Sequence, residues 1–258
     1  EFFGKLADEW KIASPRNAGY LEANDVHPRG LAVVLRGMDI AQPVSLAGYV
    51  APSEVSVTAP SVAATATEID NFDSSSIDLV MPTHSAGQLL LVSIATKSNN
   101  TADSIDVTMP AGWTRIVDQD DDHGYAPYLF VFWKIAESAS EAPNASISGT
   151  NTNHHKTTIV AAIDDATSAS ASVVNGYSSG STTSVAFPTG PTGKSLYLHI
   201  AANENGGEIP TPSGDTAVDD TNDCDYRKQM MSSNVSSAAI ASHTVPSDNY
   251  VTVTIGID

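Results

Sequence analysis

The sequence predicts an all-β fold built of tandem antiparallel β-sandwich units. Three observations carry that expectation. The 258 residues include 31 serines and 23 threonines, and this load beside Val and Ile favours strands and turns over helices. Apolar residues fall in short or alternating runs bounded by Gly, Pro, Asp and Ser, with no helical stretch between them. The same runs then recur in order along the chain, the mark of an internal repeat.

Strands are expected at Ser76 to Met81, Gln88 to Thr96, Tyr128 to Ala136 and Thr157 to Ile163. A second set follows at Leu196 to Ala202, Tyr226 to Met231, Ala238 to His243 and Tyr250 to Ile257. Strands at this spacing without intervening helices indicate antiparallel sandwiches rather than βαβ units. Met81 to Ala95 aligns without gaps on Phe187 to Ala201, sharing Pro82/Pro188, Thr83/Thr189, Gly87/Gly193, Leu90/Leu196, Ile94/Ile200 and Ala95/Ala201. Each copy next has Pro-x-Gly-x-Thr, at Pro110-Gly112-Thr114 and at Pro212-Gly214-Thr216. Both continue into an acidic loop and a tyrosine, Tyr125 or Tyr226, and both close on a β-branched run ending Ile-Asp, at Asp164 and Asp258.

The N-terminal part fits the scheme as a back half: Trp10-Lys11-Ile12-Ala13 recurs as Trp133-Lys134-Ile135-Ala136, and Gly48 through Pro60 aligns with Gly176 through Pro188. The expected organisation is an incomplete unit or docking segment over residues 1–61, a unit over 62–164 and a second, degenerate unit over 165–258. Each complete unit suits one small sandwich, or the two together close a larger double sheet. Glu1 to Ala13 is the one stretch compatible with a helix, and the Trp10 motif favours a strand there. Glu1 is neither an initiator Met nor the start of a signal-peptide pattern, so the chain reads as processed or incompletely represented. A half-sandwich leaves edges and apolar faces open, so Glu1 to Pro60 is expected to pack against a neighbouring chain or a larger shell of subunits.

The net charge of −18 and the pI near 4.4 exclude a nucleic-acid binder and a partner docked on anionic lipid, since no basic stripe exists to neutralise phosphate. The single cysteine, Cys224, excludes an internal disulfide and a four-cysteine zinc site, and Asp223 and Asp225 beside it raise rather than lower its thiol pKa. No apolar run approaches the ~18 residues of a membrane-spanning helix.

Asp118, Asp120 and Asp122 alternate in Asp118-Gln119-Asp120-Asp121-Asp122-His123-Gly124, a spacing that can wrap calcium with oxygen ligands. His123 and Leu129 stand where an EF-hand needs Gly and Glu, so the stretch is not one, and a solvated hairpin tip that keeps an edge soluble is the reading favoured over a calcium site. Asp219, Asp220, Asp223 and Asp225 repeat the acidity in the second copy. His154-His155 on a strand point to opposite faces and chelate one metal poorly. His84, His123, His199 and His243 show no spacing that pairs them with a ligand. No Gly-x-Ser-x-Gly elbow is present, and Ser178-Ser179-Gly180-Ser181 reads as a turn. No catalytic residue and no cofactor is assigned, and no enzymatic activity is expected. Trp113 and Trp133 read as core, while Tyr125 and Tyr128 beside the acidic stretch are the better candidates for contact with a sugar ring.

With these motifs in place, the chain resembles a β-sandwich module, jelly-roll or Ig-like, of bacteriophage virion proteins and some bacterial surface proteins. The elements carrying the resemblance are the Gly-x-Leu-Leu-Leu strand at Gly87, the Pro-x-Gly-Trp-Thr turn at Pro110 to Thr114, the aromatic strand Phe130 to Ala136 and the closing strand to Asp164. In the second copy Asp215 replaces the tryptophan. The resemblance implies a non-enzymatic component of the virion surface, as capsid decoration, head fibre or tail fibre, with other virion proteins and copies of itself as partners. The alternative is an adhesin or receptor-binding module whose loops bind host glycan.

Overall fold

The computed structural model describes residues 58–70, 76–96, 105–119, 127–148, 156–173, 182–204, 207–223, 228–235 and 239–258, which belong to one compact unit, Val55–Asp258. The expectations for residues 1–57 lie outside the described residues. Every regular element among those described is a strand, and every pairing is antiparallel.

The first repeat forms a five-stranded sheet from β1 (Ser61–Asp70), β3 (Leu89–Thr96), β5 (Thr114–Gln119), β6 (Tyr128–Ile135) and β8 (Lys156–Asp164), in the order β1-β8-β3-β6-β5. A three-stranded sheet, β2-β7-β4, joins β2 (Ser76–Asp78), β7 (Asn144–Ser148) and β4 (Asp106–Thr108). The second repeat reproduces the large sheet strand for strand. Its β9 (Ala169–Val173), β11 (Leu196–Asn203), β12 (Thr216–Asp220), β13 (Lys228–Asn234) and β15 (Tyr250–Ile257) run β9-β15-β11-β13-β12. Among the described residues its small sheet consists of β10 (Thr182–Phe187) and β14 (Ile240–Asp248). Where the first repeat has β4, the second has Ile209-Pro210-Thr211-Pro212. Ile209 is buried as Val107 is, but proline supplies no N–H to a ladder, so the third strand does not form.

Residue alternation shows how the sheets stack. Val92, Ile94, Phe130, Phe132 and Val160 face the small sheet and join Ile77, Val107, Ala145 and Ile147 in one buried cluster. On the opposite face Leu89, Leu91, Leu129, Val131, Ile159 and Ile163 meet Leu196, Leu198, Ile200, Val253, Ile255 and Ile257 of the second repeat. The two large sheets therefore pack on each other, and each has its other face covered by a small sheet. β3, β11 and β15 are consequently buried at every position. A sheet covered on both faces reads as a continuous apolar run rather than as alternation, which explains Leu89-Leu90-Leu91-Val92. The units are not separate sandwiches: their largest core is shared.

Strand register corrects the gapless alignment of the repeats. Leu89 pairs with Ile163 on β8, and Leu196 pairs with the matching Ile257 on β15. Leu196 therefore corresponds to Leu89, not Leu90, and Tyr197 to Leu90, His199 to Val92 and Ile200 to Ser93. The alignment holds through Gly87 and Gly193, both at positive φ where glycine is favoured, and one residue is then inserted before β11. A slip of one residue exchanges the faces of a strand, so the insertion decides which side chains reach the shared core.

The edges of the large sheets are blunted. β1, β5 and β12 each carry a register irregularity against their neighbour, between Val62/Ala64, Arg115/Val117 and Ala217/Asp219. The recurring Ile-Asp end also has a structural role. Asp164 accepts from Gln88 Nε2 at 2.6 Å, and Asp258 receives Lys194 Nζ from the corresponding loop.

Candidate functional site

The positions that distinguish the second repeat gather at one place. His199 replaces Val92 on the central strand, Ser232 replaces Phe132, Asn234 replaces Lys134, and Asp215 takes the place of Trp113. Together they form a closed polar cluster. His199 Nδ1–H donates to Asp215 Oδ2 at 2.7 Å, Ser232 Oγ donates to the same oxygen at 2.6 Å, and Asn234 Nδ2 donates to Oδ1 at 2.8 Å. The His199 and Asp215 side chains are both 1% exposed. Burial pushes the Asp215 carboxyl up, but the hydrogen bonds from Ser232, His199 and Asn234 more than reverse this and hold it below its ordinary value. Phe187 packs on the His199 ring, with centroids 5.2 Å apart.

This constellation contains serine, histidine and aspartate without the geometry of a nucleophile. The serine hydroxyl donates to the carboxylate instead of to an imidazole nitrogen, so no base is placed to take its proton. His199 Nε2 is buried without a hydrogen-bond partner. The arrangement orients and cements β11, β12 and β13. Sequence reading noted Asp215 as a departure from the tryptophan pattern and missed His199, whose partner lies in the turn before β12.

A second polar contact crosses the interface between the large sheets. Gln229 is fully buried; its Oε1 accepts from Ser93 Oγ at 2.6 Å, and its Nε2 donates to the Thr157 carbonyl at 2.5 Å and to Thr157 Oγ1 at 3.0 Å. The corresponding positions across the repeat are Leu129 and Ile200, both in the shared apolar core.

Of the calcium candidates, Asp118 is described, and Asp120 and Asp122 lie outside the described residues. Asp118 is not in a loop: it belongs to β5, as Asp219 and Asp220 belong to β12. Its carboxylate accepts from Arg115 Nη1 at 2.6 Å, while Arg115 Nη2 reaches Asp106 Oδ1 at 2.6 Å and the Val107 carbonyl. The guanidinium also lies over Phe130 and Phe132, at 5.6 and 5.4 Å from their centroids. Arg115 is thus the cation already beside Asp118, and it ties β5 to β4. Desolvation lowers the Arg115 pKa, but the bonds to Asp118 and Asp106 outweigh it and raise the value. Among the described residues no group of three or more His, Cys, Asp or Glu side chains is placed to hold a metal.

The aromatic side chains that are described serve the cores. Tyr128 is buried in the first-repeat cluster, so it is not the exposed contact expected of it. Trp113 and Trp133 are half-buried and pack on core clusters, in agreement with the sequence reading. Tyr125, Tyr177, His123, His154, His155 and Cys224 lie outside the described residues.

One groove of about 410 Å³ opens between the edges β1 and β12. Pro60 to Thr65, Leu196, Thr216 to Val218, Ser233 and Val235 line it. Strand register places Ser233 at the position of Trp133, since Thr216 faces Ser233 as Thr114 faces Trp133. Ser233 thus lines the groove at the register position that Trp133 holds in the first repeat.

No family model matches the chain, and no curated protein or solved structure matches it either.

Proposed function

We propose that this chain is a non-enzymatic structural component of the bacteriophage virion surface, serving as capsid decoration, head fibre or tail fibre. The repeat's own residues support the phage reading: Gly87 to Val92, Pro110 to Thr114, Phe130 to Ala136 and the Ile-Asp ends follow the pattern of that module. The observation that carries the structural role is the core shared by the two large sheets, which makes two repeats one stiff body. His199, Asp215 and Ser232, the Ser/His/Asp grouping among the described residues, are engaged in internal hydrogen bonds. The net charge of −18 suits an outward surface, keeping particles apart by self-repulsion.

The test is the copy number and position of the chain in purified particles, by quantitative mass spectrometry and immunogold labelling. Icosahedral stoichiometry on the head, or a small fixed number on the tail, is the expected result. Absence from particles removes the reading. Binding of purified protein to host polysaccharide would favour the adhesin alternative.

A further inference from the structure

We infer that His84 is an acid-sensitive latch, which on taking up a proton releases the crossover from β6 to β7. Its two partners fix the resting state. The Pro82 carbonyl can only accept, so Nδ1 carries the hydrogen and donates to it at 2.8 Å. The Glu141 backbone N–H can only donate, so Nε2 offers its lone pair to it at 3.3 Å. Both bonds together require the neutral imidazole. The residue is 6% exposed, so little water reaches the ring to replace a lost partner. A proton on Nε2 turns that acceptor into a donor facing another donor.

The acceptor a cationic ring needs stands close by. The Glu141 side chain is 11% exposed, and its carboxylate takes the Glu137 N–H at 2.6 Å and Lys134 Nζ at 3.0 Å. Burial pushes this carboxyl up, but the Glu137 N–H, Lys134 and His84 more than reverse that and keep it ionised. The other charged groups on the adjoining elements are Glu137, 3.3 Å from Lys134 Nζ, Asp164, held by Gln88, and the exposed Asp78 on β2. Turning to the imidazolium costs Glu141 its bonds to Glu137 and Lys134. Residues 136–143, which lead from the large sheet to the small one, then lose their ties together.

The second repeat secures the same turn without an imidazole. Gly190 stands at the position of His84, and a Cβ there would come within 2.5 Å of the Tyr197 ring. The Tyr197 hydroxyl donates to the Pro191 carbonyl at 3.0 Å and accepts from the Lys194 N–H at 3.2 Å. A phenol takes up no proton in the interval where an imidazole does, so the latch belongs to the first repeat. None of this draws on the virion reading.

Amide hydrogen exchange of the full chain between about pH 8 and 5, corrected for intrinsic rates, tests it. Protection of the Glu141 N–H in the parent is expected to fall about tenfold towards acid, the effect of one lost hydrogen bond. The His84 ring nitrogens, followed by NMR, should titrate with it. His84→Gln keeps one donor and one acceptor with nothing to protonate, and should hold that protection level. His84→Ala should show the reduced protection already at about pH 8. Should His84→Ala fail to fold, the comparison of the parent with His84→Gln still decides. A His84 ring still neutral at about pH 5, or Glu141 protection that falls equally in His84→Gln, overturns the inference. Protection undiminished in His84→Ala overturns it as well.

Discussion

The two repeats have the same five-strand order and opposite solutions to the same interior site. In the first, Val92, Phe132 and Trp113 bury apolar surface against the small sheet, and Lys134 reaches Glu141 at 3.0 Å from the rim. In the second, His199, Ser232, Asp215 and Asn234 fill the equivalent positions with one carboxylate and three donors. Topology evidently does not dictate the chemistry of this site; either choice works provided it is complete. An apolar cluster tolerates partial loss in proportion to the area removed. A polar cluster fails as a unit, because losing the shared carboxylate leaves buried His199 and Ser232 without that acceptor.

The largest expected effect follows from that difference. Asp215→Ala should cost about 3–5 kcal/mol in urea unfolding, since it removes the carboxylate that buried His199 and Ser232 share. The triple replacement His199→Val, Asp215→Trp, Ser232→Phe, which imports the first repeat's solution, should be more stable than Asp215→Ala alone. A cost below about 1 kcal/mol for Asp215→Ala would break the comparison.

The interface between the large sheets gives the next test. Gln229→Ala should cost about 2–3 kcal/mol by leaving Ser93 and Thr157 unsatisfied. Ser93→Ile with Gln229→Leu copies the apolar Ile200 and Leu129 pairing and should recover most of that loss. Because the core is shared, calorimetry of the parent should show one transition for both repeats, and two resolved transitions would contradict the shared core.

The pH dependence is smaller and has a definite sign. The Asp215 carboxyl lies below its ordinary value of 3.8 in the folded chain. Its contribution is therefore fully present above the unfolded value and is lost as pH falls through the folded one. Asp215→Asn should flatten the acid limb of the stability profile, measured by thermal melts between about pH 2 and 6. The smallest effect belongs to Arg115. Its carboxylate partners are half exposed, at 53% for Asp106 and 50% for Asp118. Asp118→Asn should therefore cost less than about 1 kcal/mol, screened further by salt.

Much of this comparison was legible in the residues. The long apolar runs, the Pro-x-Gly-x-Thr turns and the Ile-Asp ends marked strands and repeats before any coordinates. Short strands such as β4, β7, β9 and β12 escaped notice because they are brief and half-polar, so neither alternation nor an apolar run announces them. Their identity comes from the neighbours they pair with. His199 escaped for a related reason: its partner is sixteen positions away, in the turn that leads into β12.

The sequence by itself determined the all-β class, the repeat and the acidic balance, because these depend on composition and on patterns that local backbone geometry imposes. Only the tertiary structure decided which face each strand buries. One inserted residue before Leu196 reverses that choice against the best linear alignment, and strand faces are set by pairing across the sheet. The tertiary structure also decided that the repeats share a core instead of standing apart. An apolar run reports that both faces of a strand are covered and says nothing about which sheet covers them.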